Sequence, residues 1–164
     1  MKKAVIVRHA KSSWANLDLK DIDRPLNTRG LHDGPKMAKL LHKHIDSLDN
    51  IFTSPAVRAR STALFFAESY GISEDDMKIF PEMYYGSEEE LLETVQLAPD
   101  EADNIALFSH NPKITHFVNL FTKNYIDNVP TCGISILVAD IKSWKEFNER
   151  TAELYTVLFP KLVL

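Results

Sequence analysis

Three short groups of residues carry the side chains with the greatest potential for chemistry. Arg8 and His9 directly follow one apolar run of the chain. Arg58 comes soon after a second apolar run, and His110 closely follows a third. Guanidinium groups bind phosphate oxygens through paired hydrogen bonds, and an imidazole can serve as donor, base or nucleophile. If the fold brings them together, these groups predict a strong anion pocket that suits a phosphoryl group.

The elements that must position these groups are short apolar strands. Three segments predict buried strands that end just before the groups, namely 3–7, 51–52 and 105–108. Ligands of open α/β sheets bind at the carboxyl edge, where such strands end. Ser54 and Ser109 lie at the same edge and precede expected helices, whose first N–H groups also bind anions. We therefore expect the three groups to converge.

The rest of the chain continues the alternation of strands and helices. Apolar spacing and capping residues predict helices over 27–48, 55–70, 87–98 and 112–121, and strands over 77–80, 133–139 and 154–159. Pro35 should lie near the first turn of its helix or kink it. This order predicts an α/β fold with three α/β/α layers and a mostly parallel central sheet. The last two strands can form a hairpin around 142–149.

Length and composition indicate one ordinary globular domain. The chain has 164 residues, 45% of them hydrophobic, and we expect residues 1–164 to form a single domain and a monomer. Its 19 basic and 23 acidic residues are spread along the chain, which disfavours nucleic-acid or membrane partners. The apolar stretch after Lys3 is too short for a signal peptide or a membrane span, and Cys132 is the only cysteine. We therefore expect a cytoplasmic protein.

Several other phosphate chemistries are excluded by the sequence. Cysteine-based phosphatases need an arginine six residues after the cysteine, but Val138 stands at that distance from Cys132. There is no GxxxxGK[ST] nucleotide loop and no GxSxG nucleophile elbow. His42 and His44 point to different sides of a helix, and no HExxH occurs, so neither a metal nor another cofactor is predicted. Histidine itself remains as the nucleophile.

Three motifs in fixed order carry a resemblance to a known family. They are Arg8-His9-Ala10 after the first strand, Arg58 within SPAVRARSTA, and His110 within LFSHNP. The sequence is similar in these motifs to the histidine phosphatases, also called the phosphoglycerate mutase-like superfamily. The resemblance covers most of the chain and implies a phosphoglycerate mutase-like fold. The segments RHAKSSW, DIDRPLNTRG and SHNP resemble the small SixA-like phosphohistidine phosphatases.

The resemblance implies a role for each of the four shared residues. His9 is the expected nucleophile, which attacks phosphorus in line, becomes phosphorylated and is then freed by water. Arg8, Arg58 and His110 are expected to hold the phosphoryl oxygens. The physical chemistry agrees, because phosphoryl transfer depends on positioning and charge stabilisation, and cations around His9 disfavour its protonated form. No metal is required for this mechanism.

The proton donor is the next role that the resemblance implies. The family usually employs a carboxylate, and its motif matches Glu82 in PEMYYG. Asp18 and Asp21, in the loop after the first motif, are alternatives. The need for an acid depends on the substrate, because an imidazole leaves phosphorus easily whereas a sugar alkoxide needs a proton.

Other polar residues near the motifs are candidates for binding substrate. Ser12 and Asn111 are expected to contact the phosphoryl group or the rest of the substrate. Arg24 in RPLNTRG is a further candidate, although a surface salt bridge is the simpler expectation for it. The remaining histidines are expected to be exposed or packed on helices, namely His32, His42, His44 and His116.

Three departures from the family pattern indicate which member this chain resembles. Ala10 stands where glycine is commoner, so a phosphate loop that required positive φ there would be mildly strained. Mutases place an asparagine six residues after the histidine, whereas Asn16 comes seven residues after His9, which disfavours a mutase. Only 28 positions separate Glu82 from His110, which leaves no room for a long covering insertion and predicts an open pocket.

These observations predict a metal-independent phosphatase that works through a phosphohistidine at His9. The expected partner is a protein that carries phosphohistidine. One alternative is a phosphomonoesterase for a small ester, such as a sugar or nucleotide-like phosphate. Another is a phosphate-binding module without turnover, which the presence of both motif histidines disfavours.

Overall fold

A six-stranded sheet forms the centre of the molecule, and the computed structural model describes residues 1–164. The strands are β1 Lys2–Arg8, β2 Asn50–Thr53, β3 Lys78–Ile79, β4 Asn104–Ser109, β5 Ile134–Ala139 and β6 Ala152–Leu158. They lie in the order β3-β2-β4-β1-β5-β6. β5 pairs antiparallel with β1 and β6, and the other pairs are parallel. Only β5 runs against the rest, so the predicted mostly parallel sheet is confirmed.

Helices cover both faces of this sheet. They are α1 Thr28–Leu41, α2 Val57–Tyr70, α3 Glu82–Tyr85, α4 Glu88–Gln96, α5 Lys113–Asn119 and α6 Pro160–Val163. α1 and α2 pack together over one face, and α4 and α5 pack together over the other. The predicted α/β/α layers are confirmed. None of these helices combines the length and the apolar character needed to cross a bilayer.

The central strand β1 contributes to both hydrophobic cores. Val5 and Val7 pack with α1 and α2, whereas Ala4 and Ile6 pack with α4 and α5. All four side chains are fully buried. A strand buried on both faces needs apolar residues at successive positions, which explains the unbroken run in the sequence. Truncating Ile6 to alanine should destabilise the fold by about 2–5 kcal/mol.

The predicted hairpin of the last two strands is confirmed. β5 and β6 pair antiparallel, with a short 3₁₀-helix over Trp144–Glu146 between them. Ser143 and Glu146 form a capping box at the start of this turn. Trp144 is fully buried, and its indole N–H donates to the Ala102 carbonyl at 2.8 Å. The indole therefore fixes the hairpin connection to the base of β4.

The end of α1 differs from the prediction. Asn27 caps the helix as expected, because its side chain accepts a backbone N–H of the first turn at 2.9 Å. The helix ends at Leu41 rather than at residue 48, and a tight turn through 42–44 follows. Ile45 and Leu48 still pack into the same core from beyond that turn. The apolar spacing therefore marked buried positions rather than the length of the helix.

Two prolines also lie at places other than those predicted. Pro35 is the eighth residue of α1, beyond the first turn, and the helix continues through it. Pro55 precedes α2, which begins two residues later than predicted, because the Ser54 hydroxyl accepts the Ala56 N–H at 3.2 Å and holds a bend there. The end of α2 is as predicted, with Gly71 in the left-handed conformation at φ 69°.

The ends of three parallel strands are aligned at one edge of the sheet. Arg8 at the end of β1 pairs in register with Ser109 at the end of β4. The Ser54 N–H, just after β2, donates to the Phe108 carbonyl at 3.0 Å. The residues that follow β1, β2 and β4 therefore meet, as the sequence predicted.

Candidate active site

His9 lies immediately after β1 at this edge. Its backbone N–H donates to the Ser109 carbonyl at 3.1 Å, and only 7% of the residue is exposed. The ring nitrogen Nδ1 lies 2.7 Å from the Ala10 carbonyl oxygen, which can only accept a hydrogen bond. Nδ1 therefore carries the proton of the neutral ring. The lone pair is on Nε2, the nitrogen that faces the other motif residues.

The surroundings of His9 keep its ring neutral. The pKa of His9 is lowered to about 3, chiefly by burial and in addition by the nearby guanidinium groups of Arg58 and Arg8. The hydrogen bond to the Ala10 carbonyl opposes this effect, because it favours the protonated ring. At neutral pH the ring thus has an unprotonated nitrogen, as a nucleophile requires.

Arg58 reaches His9 from the first turn of α2. Its Nε–H donates to His9 Nε2 at 3.3 Å. The Thr62 hydroxyl donates to the Arg58 carbonyl at 2.7 Å and accepts the Ala10 N–H at 2.9 Å. Thr62 therefore links α2 to the loop that follows His9. The two sequence motifs are brought together by these contacts.

Ala10 does not need the conformation that glycine would favour. The non-glycine residue with positive φ is Cys132, at φ 60°. Its N–H lies 3.0 Å from the carbonyl oxygens of both Arg8 and His9. The left-handed backbone is thus at Cys132, in a neighbouring segment that contacts the backbone of Arg8 and His9. The sequence did not indicate this contact. Burial raises the pKa of the Cys132 thiol to about 12, so the thiol is unreactive at neutral pH.

His110 follows β4 and lies beside His9. The two imidazole rings are 5.1 Å apart between centroids. His110 Nε2 lies 2.7 Å from the Ser54 hydroxyl, which already accepts the Ala56 N–H. The hydroxyl hydrogen can donate to Nε2, and we assign the ring proton to Nδ1, which has no donor beside it. Burial lowers the pKa of His110 to about 2, so this ring is also neutral.

Two buried nitrogens of the site have no hydrogen-bond partner, namely Arg8 Nε and His110 Nδ1. The neighbouring Arg8 nitrogen Nη1 donates to the Val129 carbonyl at 3.0 Å, which holds the guanidinium in place. An unpaired buried donor costs about 1–3 kcal/mol, and such donors occur where a ligand supplies the acceptor. Phosphoryl oxygens are acceptors of the kind that both nitrogens lack. The structure thus brings Arg8, His9, Arg58 and His110 together at the carboxyl edge of the sheet, and their binding of a phosphoryl group stays a prediction.

A carboxylate also reaches this pocket. Asp21 accepts hydrogen bonds from Arg24 Nε at 3.1 Å, from Arg58 Nη2 at 2.9 Å and from the Tyr84 hydroxyl at 2.6 Å. These contacts, the Tyr84 hydrogen bond first among them, hold the pKa of Asp21 well below its usual range. Asp21 is therefore ionised. The sequence suggested it only as an alternative proton donor.

Tyr84 is a site residue that the sequence analysis missed. It belongs to α3, which is fixed beside β4 because the Met83 carbonyl accepts from Lys113 Nζ at 2.7 Å and from the Ser109 hydroxyl at 2.5 Å. The Tyr84 ring then meets the His110 ring edge-on, with centroids 5.2 Å apart. Its position two residues after Glu82 in PEMYYG was the available signal.

The carboxylates of Glu82 and Asp18 are not brought into these contacts. Glu82 is the first residue of α3, is exposed, and forms no side-chain hydrogen bond or ion pair. Its backbone carbonyl accepts from Lys113 Nζ at 3.3 Å. Asp18 is also exposed, and its backbone N–H donates to the Asn16 side chain at 3.0 Å. Both proton-donor assignments stay predictions.

The two predicted substrate-binding residues outside the main motifs have protein partners. Ser12 is buried, and its hydroxyl accepts from Arg24 Nη1 at 2.9 Å. Both amide hydrogens of Asn111 are donated to protein, to Asn128 at 3.0 Å and to the Val129 carbonyl at 2.9 Å. Contact of these side chains with substrate stays a prediction, since their recorded contacts are with the protein itself.

Arg24 forms the expected salt bridge, with the half-exposed Asp21 at 3.1 Å, but its own side chain is buried. It is 7% exposed, and its guanidinium lies 3.5 Å from the centre of the Trp14 ring. Trp14 itself is 65% exposed beside the site.

The structure contains no candidate metal site. No three histidine, cysteine, aspartate or glutamate side chains are grouped so that they could hold a metal ion.

Comparisons with known proteins agree with this geometry. Residues 4–118 match the model of the histidine phosphatase superfamily, branch 1. An uncharacterized chloroplastic protein of Arabidopsis thaliana is 28% identical over 153 residues, which cover 88% of this chain and 70% of that protein. A solved structure from Agrobacterium tumefaciens, provisionally designated the phosphohistidine phosphatase SixA, is 25% identical with a TM-score of 0.79. The match covers 97% of this chain and 99% of that one.

A second solved structure shows the same fold. It comes from Nakamurella multipartitia, carries the same provisional SixA designation, and has a TM-score of 0.81 at 23% identity, covering 97% of this chain and 96% of that one. The predicted phosphoglycerate mutase-like fold is confirmed. A family model that spans most of the sheet and all four motif residues makes the chain a phosphatase that works through a histidine. The chain therefore belongs to the histidine phosphatase superfamily, branch 1.

Proposed function

We propose that this protein removes the phosphoryl group from phosphohistidine in a protein substrate, without a metal, through a phosphohistidine of its own at His9. The observation that carries the proposal is the state of the His9 ring. Nδ1–H donates a hydrogen bond to the Ala10 carbonyl at 2.7 Å, so Nε2 has a lone pair on the side that faces Arg58. A neutral imidazole among guanidinium groups is suited to attack a phosphoryl group.

In the first step, His9 Nε2 forms a bond to phosphorus while the bond from phosphorus to the substrate nitrogen breaks. The electron pair of that bond leaves with the substrate imidazole, which departs as a neutral ring because its other nitrogen carries a proton. Arg8 Nε and His110 Nδ1 are the unpaired donors that would bind the phosphoryl oxygens as charge moves onto them. The substrate histidine is released, and His9 carries the phosphoryl group.

In the second step, water attacks phosphorus and the bond to His9 Nε2 breaks. Inorganic phosphate is the product, and the electron pair of the broken bond returns to Nε2. The hydrogen bond from Nδ1 to the Ala10 carbonyl keeps the ring in one orientation through both steps. The ring therefore returns to its starting tautomer without a rotation.

The state of the nearby carboxylate supports a substrate with an easily released leaving group. Asp21 accepts three side-chain hydrogen bonds, and their effect on its pKa keeps it ionised, so it has no proton to give. Glu82 is exposed and makes no side-chain contact with the pocket. Imidazole needs little acid catalysis to leave phosphorus, whereas a sugar alkoxide needs a proton. The SixA designation of the two structural relatives supports the same substrate class.

The short connection between α3 and His110 supports a protein as the substrate. That stretch contains only α3, α4 and β4, and α4 is packed against α5. No segment remains there to cover the site, which supports a substrate side chain that is displayed on a protein surface.

A substrate panel with an enzyme-trapping step tests the proposal. We expect phosphohistidine protein to be turned over faster than sugar phosphates or nucleotides, with vanadate inhibiting and chelators having no effect. Acid quenching should trap labelled, acid-labile phosphate on the protein. His9→Ala should lose the label, and His44→Ala, at an exposed histidine, should keep it. A stable label in His9→Ala would refute the mechanism, whereas a preference for sugar phosphates would refute only the substrate.

A further inference from the structure

The Asp21 carboxylate joins the two sides of the pocket. One of its oxygens accepts from Arg58 Nη2 at 2.9 Å and from the Tyr84 hydroxyl at 2.6 Å. Arg58 is the residue that contacts His9, and Tyr84 is the residue that packs on His110. Asp21 is thus the shared partner of the groups that flank the two histidines.

Arg58 depends on Asp21 for its orientation. Its Nη1 donates to the Asp21 backbone carbonyl at 2.7 Å, and its Nη2 donates to the Asp21 side chain. Two bonds to one residue fix the plane of the guanidinium, because its donors form a rigid fork. The remaining donor, Nε–H, is then directed at His9 Nε2 at 3.3 Å. Without the carboxylate, only the backbone contact would restrain the far end of this long side chain.

Asp21 is itself held from the opposite side. Its other oxygen accepts from Arg24 Nε at 3.1 Å. Arg24 also donates to the Ser12 hydroxyl at 2.9 Å and is stacked against the Trp14 ring. Because a buried arginine with several partners has little freedom to move, it forms a fixed support. The carboxylate is therefore anchored on the side away from Arg58.

We propose that Asp21 is the positioning residue for Arg58, which it orients toward the phosphoryl group on His9, and that it does not act as the proton donor. The proposal rests on the proposed function only in that Arg58 binds a phosphoryl group. If Asp21 is a positioning residue, its removal should lower the rate by the same factor for every leaving group. A proton donor would instead matter most for the most basic leaving groups.

A double-mutant cycle tests this assignment. We expect Asp21→Ala to lower kcat/KM for an aryl phosphate, and to weaken vanadate binding, on the order of 10- to 100-fold, because displacement of a phosphate-binding group is costly. In the Arg58→Ala background the same change should have less than about a 2-fold effect, since coupled residues are not additive. Asp23→Asn is the matched control, because Asp23 is exposed in the same turn and pairs with nothing. It should behave as the unmodified protein.

Leaving-group dependence supplies the second measurement. Asp21→Asn should lower the rate by one constant factor across aryl phosphates whose phenols differ in pKa. A loss that grows with the pKa of the phenol would show that Asp21 donates a proton, and losses that simply add in the cycle would show that it acts independently of Arg58. Either result overturns the proposal. Asp21→Asn also serves if circular dichroism shows that Asp21→Ala is unfolded.

Vanadate binding separates this proposal from the proposed function. If no substrate is turned over, yet vanadate binds and Asp21→Ala weakens it only when Arg58 is present, then the positioning role is supported and the phosphatase activity is not. If vanadate binding does not change in Asp21→Ala, the positioning role is wrong whatever the substrate.

Discussion

The ends of β1 and β4 lie side by side and each places a histidine in the pocket, but they hold the two rings by opposite nitrogens. His9 is held at Nδ1 by the backbone carbonyl of Ala10, which leaves Nε2 free of a proton. His110 is held at Nε2 by the Ser54 hydroxyl, which leaves Nδ1 with a proton and no partner. The difference favours His9 as the nucleophile and His110 as a hydrogen-bond donor, although both rings are buried and neutral.

The largest expected effect comes from removing the donor ring. His110→Ala should lower the rate of phosphoryl transfer on the order of 10²- to 10³-fold, because a buried donor to the transferring group is lost. The nucleophile remains, so labelled phosphate should still accumulate on the protein at long times. Rapid acid quenching over a time course measures both. Failure to label at any time would show that His110 has a further role.

A smaller effect should follow when the group that sets the His110 tautomer is removed. Ser54→Ala removes the hydroxyl that donates to Nε2, so the ring can shift its proton from Nδ1 to Nε2. We expect a loss of roughly tenfold in kcat/KM, because the hydrogen bond from Nδ1 to the charged phosphoryl group would be lost and such a bond contributes about 1.5 kcal/mol. Ser135→Ala is the matched control, since its buried hydroxyl lies in β5 without a partner. Equal losses in both variants would contradict the tautomer assignment.

The two histidines should act alike in one respect, the pH dependence of stability. Burial lowers the pKa of His9 to about 3 and that of His110 to about 2, below the unfolded value near 6.5. Between these values the unfolded chain binds more protons than the folded one, so the free energy of unfolding should fall as the pH drops below about 6.5. Stability should be independent of these groups above about pH 7.

Urea unfolding at several pH values measures this slope. His9→Asn and His110→Asn should each flatten the decline between about pH 6 and 4, because each removes one buried titrating group. His44→Asn changes an exposed histidine and should leave the decline unchanged. A slope that is the same in all three variants would show that other groups govern the acid sensitivity.

Much of the fold and the centre of the site could be predicted because they depend on local sequence patterns. The apolar runs before the three motifs specify strands, and parallel strands end at one edge, so the convergence of Arg8, His9 and His110 followed from order alone. α1 was predicted too long because Ile45 and Leu48 keep helical spacing while packing from a turn. The spacing of apolar residues indicates which positions are buried. Tertiary packing decides whether a helix or a turn places them there.

The supports of the site could not be predicted because they join residues far apart in the chain. Tyr84 meets Asp21 across 63 positions, and Ser54 meets His110 across 56. Nothing in the sequence near either residue indicates such a partner. The same applies to Cys132. Its left-handed backbone occurs together with its contacts to the Arg8 and His9 carbonyls, and no local turn motif indicates it. A sequence shows which residues have reactive side chains, whereas the residues that orient those side chains are identified only from the fold.

The double-sided packing of β1 also limits how this protein can acquire a different substrate. A slip of one residue along that strand would exchange Val5 and Val7 with Ala4 and Ile6 between the two cores, which neither core would tolerate. The position of His9 is therefore fixed by the two cores, and a substitution at the surface cannot shift it. Variation in substrate range has to come from the surroundings of the pocket, such as the exposed loop that carries Trp14. Libraries aimed at new phosphorylated partners should accordingly diversify that loop and leave the strand unchanged.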